Sequence, residues 1–159
     1  MTHEPRSATW SIVLAAGEGT RLRELTLDSD GTPIPKQFCS LAGGPTLLEQ
    51  TLERAAAISA PERTLVIVAA AHRRLWESLP GLARLPRENV IVQPANRGTA
   101  AGVLLPLLEV LERDAQARVA FLPSDHYVAD EPAFERAIVR SLACLEHSAG
   151  EPVLVGIAP

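Results

Sequence analysis

A doubly wound α/β fold, with a mostly parallel sheet and helices on both faces, is predicted by three features of this 159-residue chain. Continuous apolar runs of strand length recur at residues 10–16, 64–70, 89–92, 118–122 and 152–157. Apolarity without alternation suits strands buried on both faces, as in a parallel sheet. Helical patterns fill the intervals, and strand–helix alternation implies parallel strands joined by right-handed crossovers. Polar, turn-forming segments follow three of the runs, at residues 17–22, 93–99 and 123–126. That is where an open α/β sheet presents its ligand crevice.

The first run reads as a buried strand ending in Gly17-Glu18-Gly19. Residues 25–44 form the least regular stretch, where Asp28, Asp30, Gly31, Pro33 and Pro35 favour a long loop; such loops inside compact domains are more often functional than idle. Thr46 with Glu49 is a capping box, opening a helix through Leu48, Leu52 and Ala56 toward Ser59. Residues 72–79 make a short helix before Pro80-Gly81. Residues 99–113 place Val103, Leu104, Leu107, Leu108 and Leu111 on one face, with Pro106 expected to kink the helix or delay its start. Asp130 caps a last helix with Pro132 in its first turn. Its stripe is Phe134, Ala137, Ile138, Leu142 and Leu145, and Gly150 is its stop.

The length fits one domain, residues 1–159. A hydrophobic share of 47% is enough for a core, and 21% charged residues is ordinary for a surface. Net charge is -4, and no basic stripe is present, which argues against nucleic acid as a partner. A small anion remains compatible, since a few cations and backbone amides hold one phosphate cluster. Cys39 and Cys144 stand far apart in no metal-type spacing and read as reduced thiols of a cytoplasmic protein. No stretch is long enough to span a membrane, the run at 10–16 included, and Gly17-Glu18-Gly19 after that run gives no signal-peptide cleavage pattern.

The chemistry is expected where the three turn segments converge. Gly17 and Gly19 bring backbone amides close to a ligand, and Arg21 adds a guanidinium fork for the same anion. The segment lacks the third glycine of a dinucleotide fingerprint and the Gly-Lys-Ser/Thr of a Walker A loop. A plain strand–helix turn is its other reading. Asp125, after an apolar run and Pro123-Ser124, stands at the sheet edge where magnesium meets a nucleotide phosphate; its other reading is a turn residue or N-cap. His126 has no partner at metal spacing and reads as a hydrogen-bonded structural histidine. Lys36 is held between Pro35, which stiffens the backbone, and Phe38, which anchors the loop in the core. A fixed amine of this kind suits a phosphate clamp, whereas most loop lysines are solvated charges.

These motifs resemble those of the sugar-1-phosphate nucleotidyltransferases. Leu14-Ala15-Ala16-Gly17-Glu18-Gly19-Thr20-Arg21-Leu22 is similar to their signature loop. Pro35-Lys36-Gln37-Phe38, Gln93-Pro94 with Asn96-Arg97-Gly98-Thr99-Ala100, Leu122-Pro123-Ser124-Asp125-His126 and residues 155–159 resemble the mannose-1-phosphate guanylyltransferase branch. The resemblance implies a Rossmann-like nucleotidyltransferase fold and a magnesium-dependent transfer of GMP from GTP to mannose-1-phosphate, releasing pyrophosphate. It implies nucleotide binding by Ala15, Ala16, Gly17, Glu18, Gly19, Thr20, Arg21, Gln93, Asn96, Arg97, Gly98, Thr99, Ser124 and Asp125. Arg21 would face the departing pyrophosphate, Lys36 would bridge the α-phosphate and the sugar phosphate, and Asp125 would hold Mg2+.

The sequence also departs from the family pattern. Ala16 replaces a glycine usual in the guanylyltransferases, and the family's Gly-Arg-Asn-Thr order stands here as Asn96-Arg97-Gly98-Thr99. Base choice therefore stays open, with thymidylyl or uridylyl transfer to glucose-1-phosphate as the alternative. The family pattern continues beyond Pro159 into a sugar-recognising half with a second metal-binding aspartate. The expectation is thus a truncated domain, for which a nucleotide-binding module without activity is a further alternative. A bared apolar sheet edge would favour a homo-oligomer.

Overall fold

A computed structural model describes residues 9–19, 24–28, 30–41, 43–145 and 150–156. The chain divides into two compact units, Met1–Tyr127 and Val128–Pro159.

The first unit is built on a four-stranded, all-parallel sheet in the order β3-β2-β1-β4. Its strands are β1 (Thr9–Ala15), β2 (Thr64–Ala69), β3 (Val90–Gln93) and β4 (Arg118–Pro123). Helix α1 (Leu47–Ile58) joins β1 to β2, the short α2 (Arg73–Trp76) and α3 (Pro80–Ala83) join β2 to β3, and α4 (Gly98–Arg113) joins β3 to β4. The connections first step outward from β1 to β3, and α4 then carries the chain back past β2 and β1 to the far side. With right-handed crossovers, that reversal sends α4 to the opposite face from α1.

Side-chain parity bears this out. Trp10, Ile12 and Leu14 of β1 gather with Leu65, Ile91, Val119, Leu107 and Val110 on the α4 side. The alternate residue Ser11 accepts a hydrogen bond from the hydroxyl of Ser59, the residue after α1, at 2.8 Å, and Thr64 joins that pair at 3.0 Å. Both faces of β1 are therefore covered, and Ile12, Val13, Leu65, Val66 and Val68 are fully buried. The outer strands β3 and β4 are only partly buried. An unalternating apolar run does not distinguish a central strand from an edge strand.

The capping box forms as read: Thr46 Oγ1 accepts from the Glu49 amide at 3.2 Å, and Glu49 Oε2 accepts from the Thr46 amide at 2.8 Å. The buried stripe of α1 runs through Leu48, Leu52 and Ala55, with Ala56 exposed. Removing the cap by Thr46→Ala is expected to lower stability by about 1 kcal/mol, read from the urea midpoint at unchanged slope.

Three expectations are corrected. The helix expected at 72–79 starts and ends earlier, with Ala70–His72 in 3-10 form followed by the four-residue α2. Helix α4 begins at Gly98 and runs through Pro106, so the proline does not delay it. Its inward side carries Val103, Pro106, Leu107 and Val110, while Leu104, Leu108 and Leu111 are exposed. A helix apolar on nearly every side offers two stripes, and only packing selects one.

The second unit holds α5 (Glu131–Leu145). Asp130 caps it as expected, its Oδ1 accepting from the Ala133 amide at 2.9 Å. Ile138 is buried, and Phe134, Ala137, Leu142 and Leu145 are partly buried on the same side. The strand expected at 152–157 does not form across the described residues 151–156. A strand exists through its hydrogen-bonded neighbour, and this run enters no ladder, leaving Leu154 90% exposed. Residue 157 lies outside the described residues.

Candidate functional site

The carboxyl ends of the strands converge on a cleft of about 770 Å³ within the first unit. It opens at the point where the chain order reverses, between β1 and β4, as expected of a doubly wound sheet. Each wall has a local cause.

The wall after β1 is the glycine loop. Ala16, Gly17 and Gly19 line the cleft. Gly19 adopts φ 61°, a left-handed conformation that costs other residues dearly. A Cβ there would meet Pro35 Cα at 3.0 Å and the Lys36 nitrogen at 3.2 Å. The loop thus lies directly on the backbone of the Lys36 turn. At Gly17 a Cβ would meet nothing within 4 Å, because that side faces open cleft. Ala15 is buried, and Glu18 is exposed and stands apart from the lining. Thr20 and Arg21 lie outside the described residues.

The second wall is the Lys36 turn. The loop before it closes a small bridge between Leu27 and Pro33, with Asp28 Oδ1 accepting from the amides of Asp30 and Thr32. Lys36–Phe38 then form one 3-10 turn behind an extended Pro35. Phe38 is buried, edge-on to His72 with ring centroids 5.9 Å apart, so the expected anchor is in place. Lys36 is partly buried and lines the cleft. Cys39, just beyond, has its thiol pKa pushed up by burial, which keeps it protonated at neutral pH. Both cysteines are free.

Gln37 was missed as a site residue. It is 3% exposed, and its Nε2 donates to the Gly17 carbonyl at 2.8 Å and the Ala15 carbonyl at 3.2 Å. The signal was its place between Lys36 and the buried Phe38, since a polar residue drawn inward needs partners. The sequence does not reveal which partners these are.

The third wall follows β3 and leads into α4. Gln93, buried at the strand end, lines the cleft with Asn96, Gly98 and Thr99. Asn96 Oδ1 accepts from the Gly98 amide at 2.8 Å, and Gly98 takes φ 82°, so this turn starts the helix. Gly98, Thr99 and Gly102 bring the first turns of α4 to the cleft, and the amino end of a 16-residue helix favours an anion. Arg97 is exposed and outside the lining.

The fourth wall follows β4. Ser124 is buried, and both its amide and its hydroxyl donate to the Leu14 carbonyl, at 3.2 and 2.7 Å. Ser124 thereby ties the end of β4 to the end of β1 and sets Asp125 at the rim, its side chain 52% exposed. His126 Nε2 lies 3.8 Å from Asp125 Oδ1, an ion-pair distance beyond hydrogen-bond range. The imidazole is half exposed on the turn and meets Asp125 at ion-pair distance, not in the hydrogen bond expected of a structural histidine. Its backbone carbonyl instead accepts from the buried Arg54 at 3.4 Å. No group of three His, Cys, Asp or Glu side chains poised for a metal occurs among the described residues. Among the described residues Asp125 is the carboxylate in the cleft lining and the side chain that could hold a hard cation there.

A parallel α/β domain with four polar turn segments on one cleft at the carboxyl ends of its strands has the build of a doubly wound, ligand-binding fold. The chain belongs to the nucleotidyl transferase family, whose model matches residues 10–151. It is 34% identical over 149 residues to the xanthan biosynthesis protein XanB of Xanthomonas campestris, covering 93% of this chain and 30% of that protein. It is 34% identical over 157 residues to the mannose-1-phosphate guanylyltransferase of Escherichia coli, covering 97% and 31%. With the alginate biosynthesis protein AlgA of Pseudomonas aeruginosa it shares 30% identity over 146 residues, covering 92% and 29%. The chain thus spans about 30% of the length of these relatives. A solved structure of mannose-6-phosphate isomerase from Helicobacter pylori superposes with a TM-score of 0.57 at 24% identity, over 88% of this chain and 47% of that one, and supports the fold. No helix among the described residues is long and apolar enough to cross a membrane.

Proposed function

We propose that this chain binds a nucleoside triphosphate, with GTP preferred, as the nucleotide-binding part of a sugar-1-phosphate guanylyltransferase acting on mannose-1-phosphate in the cytoplasm. The observation that carries the reading is the meeting of the glycine loop, the Lys36 turn, the start of α4 and Asp125 in one cleft. The Escherichia coli relative bears the name of that activity.

In this reading an oxygen of the sugar 1-phosphate attacks the α-phosphorus in line, and the bond to the β-phosphate bridging oxygen breaks, releasing pyrophosphate. No general acid or base is needed; the work is alignment and charge neutralisation. Backbone amides of the glycine loop hold the triphosphate. Arg21, assigned from its place in the motif, faces the departing pyrophosphate. Lys36 draws the α-phosphate and the acceptor phosphate together. Gln93, Asn96 and Thr99 face the nucleoside, and the amino end of α4 adds favourable potential. Asp125 would hold Mg2+, which supplies further neutralisation of phosphate charge when bound.

Calorimetric titration of the chain with GTP, dTTP and UTP in magnesium tests the reading, alongside pyrophosphate release with mannose-1-phosphate. Tighter binding of GTP than of the pyrimidine nucleotides is expected. Preference for dTTP or UTP would move the assignment to the glucose-1-phosphate branch. Binding without pyrophosphate release would make this stretch a nucleotide-binding module, and no binding of any triphosphate would sink the proposal.

A further inference from the structure

We infer that Gln37 is a positioning residue that locks the Lys36 turn to the glycine loop, so that the two segments handling phosphate take up one geometry together. The inference rests on the reading of the cleft as a triphosphate site. It goes beyond that reading in assigning a task to a side chain that acts through the loop backbone it binds.

The geometry is economical. One buried amide nitrogen carries two hydrogens, and each goes to a different carbonyl of the loop, Gly17 at 2.8 Å and Ala15 at 3.2 Å. These partners lie 20 and 22 residues earlier in the chain. A peptide unit is planar and trans, so its carbonyl and N–H point in opposite directions. Gripping the carbonyls of Ala15 and Gly17 therefore also fixes the directions of the Ala16 and Glu18 amides, the class of donor that cradles phosphate oxygens. A second contact joins the same segments, since Gly19 lies against Pro35 and the Lys36 nitrogen with no space for a Cβ. Lys36 is adjacent to Gln37 in the same 3-10 turn. The backbone of the Lys36 turn and the loop amides are therefore tied together, and no other residue type serves as well. Glutamate has the same shape but no hydrogens to give and would face two carbonyl oxygens, while asparagine is one methylene short.

The experiment compares GTP and GMP binding, in magnesium, to the wild-type chain, Gln37→Met and Gln37→Glu. A loop set by Gln37 acts on the phosphates beyond the first. Gln37→Met is thus expected to weaken GTP about tenfold and GMP by about twofold or less, with a larger GTP loss for Gln37→Glu. Equal losses for both ligands, or none, would overturn the inference, since a merely structural glutamine would not separate them. A measurement on the wild-type chain guards against variants that fail to fold. In nitrogen-15 spectra, magnesium pyrophosphate is expected to shift the Gln37 side-chain amide together with the Gly17 and Gly19 amides, at a single dissociation constant. Glycine shifts with an unmoved Gln37 amide would overturn the inference and leave the phosphate site standing. Absence of GTP binding by the wild-type chain would overturn both.

Discussion

Gly19→Ala is expected to cost the chain most of its triphosphate affinity, roughly 30- to 100-fold, with little change in global stability. Two costs combine. Alanine in the left-handed region carries about 1–2 kcal/mol of backbone strain, and Gly19 sits at φ 61°. The added methyl would also stand 3.0 Å from Pro35 Cα and 3.2 Å from the Lys36 nitrogen, both backbone atoms that no rotamer change moves aside. Either the loop leaves the cleft or the Lys36 turn is pushed back, and each outcome separates groups that the phosphates need together. The strain falls on a loop at the mouth of the sheet rather than on the core of Ile12, Val13, Leu65 and Val66, so the melting temperature should move by only a few degrees. GTP titration of Gly19→Ala, with a melting curve on the same preparation, checks this. Wild-type affinity in Gly19→Ala would sink the role assigned to the loop.

Asp125→Asn is expected to abolish the gain in GTP affinity that magnesium confers, a gain of about tenfold or more in the wild-type chain. The amide keeps the size of the side chain and removes the charge that a hard cation requires. Asp125 is half exposed on a turn, and the buried Ser124 and Arg54 hold that turn without help from its carboxylate. Stability should therefore change by no more than about 0.5 kcal/mol. Among the described residues no acidic cluster stands ready to substitute for it. The check is a GTP titration with and without magnesium on both proteins. A wild-type magnesium response in Asp125→Asn would leave Asp125 as a turn residue only.

Much of this architecture was legible in the sequence, because local features carry their own physical signature. The capping box of Thr46 and Glu49 involves residues three apart, so its two hydrogen bonds follow from helix geometry alone. The four strands of the sheet lie where continuous apolar runs mark them, and each of three polar turns after a strand reaches the cleft. The glycines and Lys36 could be picked out because backbone freedom and a fixed amine are properties of residue type and immediate neighbours.

What escaped the sequence depends on partners distant in the chain. Gln37 reads as one polar residue among many until Ala15 and Gly17 are beneath its amide. Ser124 lines the cleft, and only the structure shows that its amide and hydroxyl both donate to Leu14, 110 residues earlier. The run at 152–157 has strand composition, but no neighbour pairs with its described residues. The leucines of α4 offered two stripes, and only the sheet beneath could choose Val103, Pro106, Leu107 and Val110 over Leu104, Leu108 and Leu111. Composition and spacing determined most of the elements, since these arise from short-range geometry. Tertiary structure decided which polar groups line the cleft and which are directed to other protein groups, because a hydrogen bond is specified by two ends and the sequence displays only one at a time.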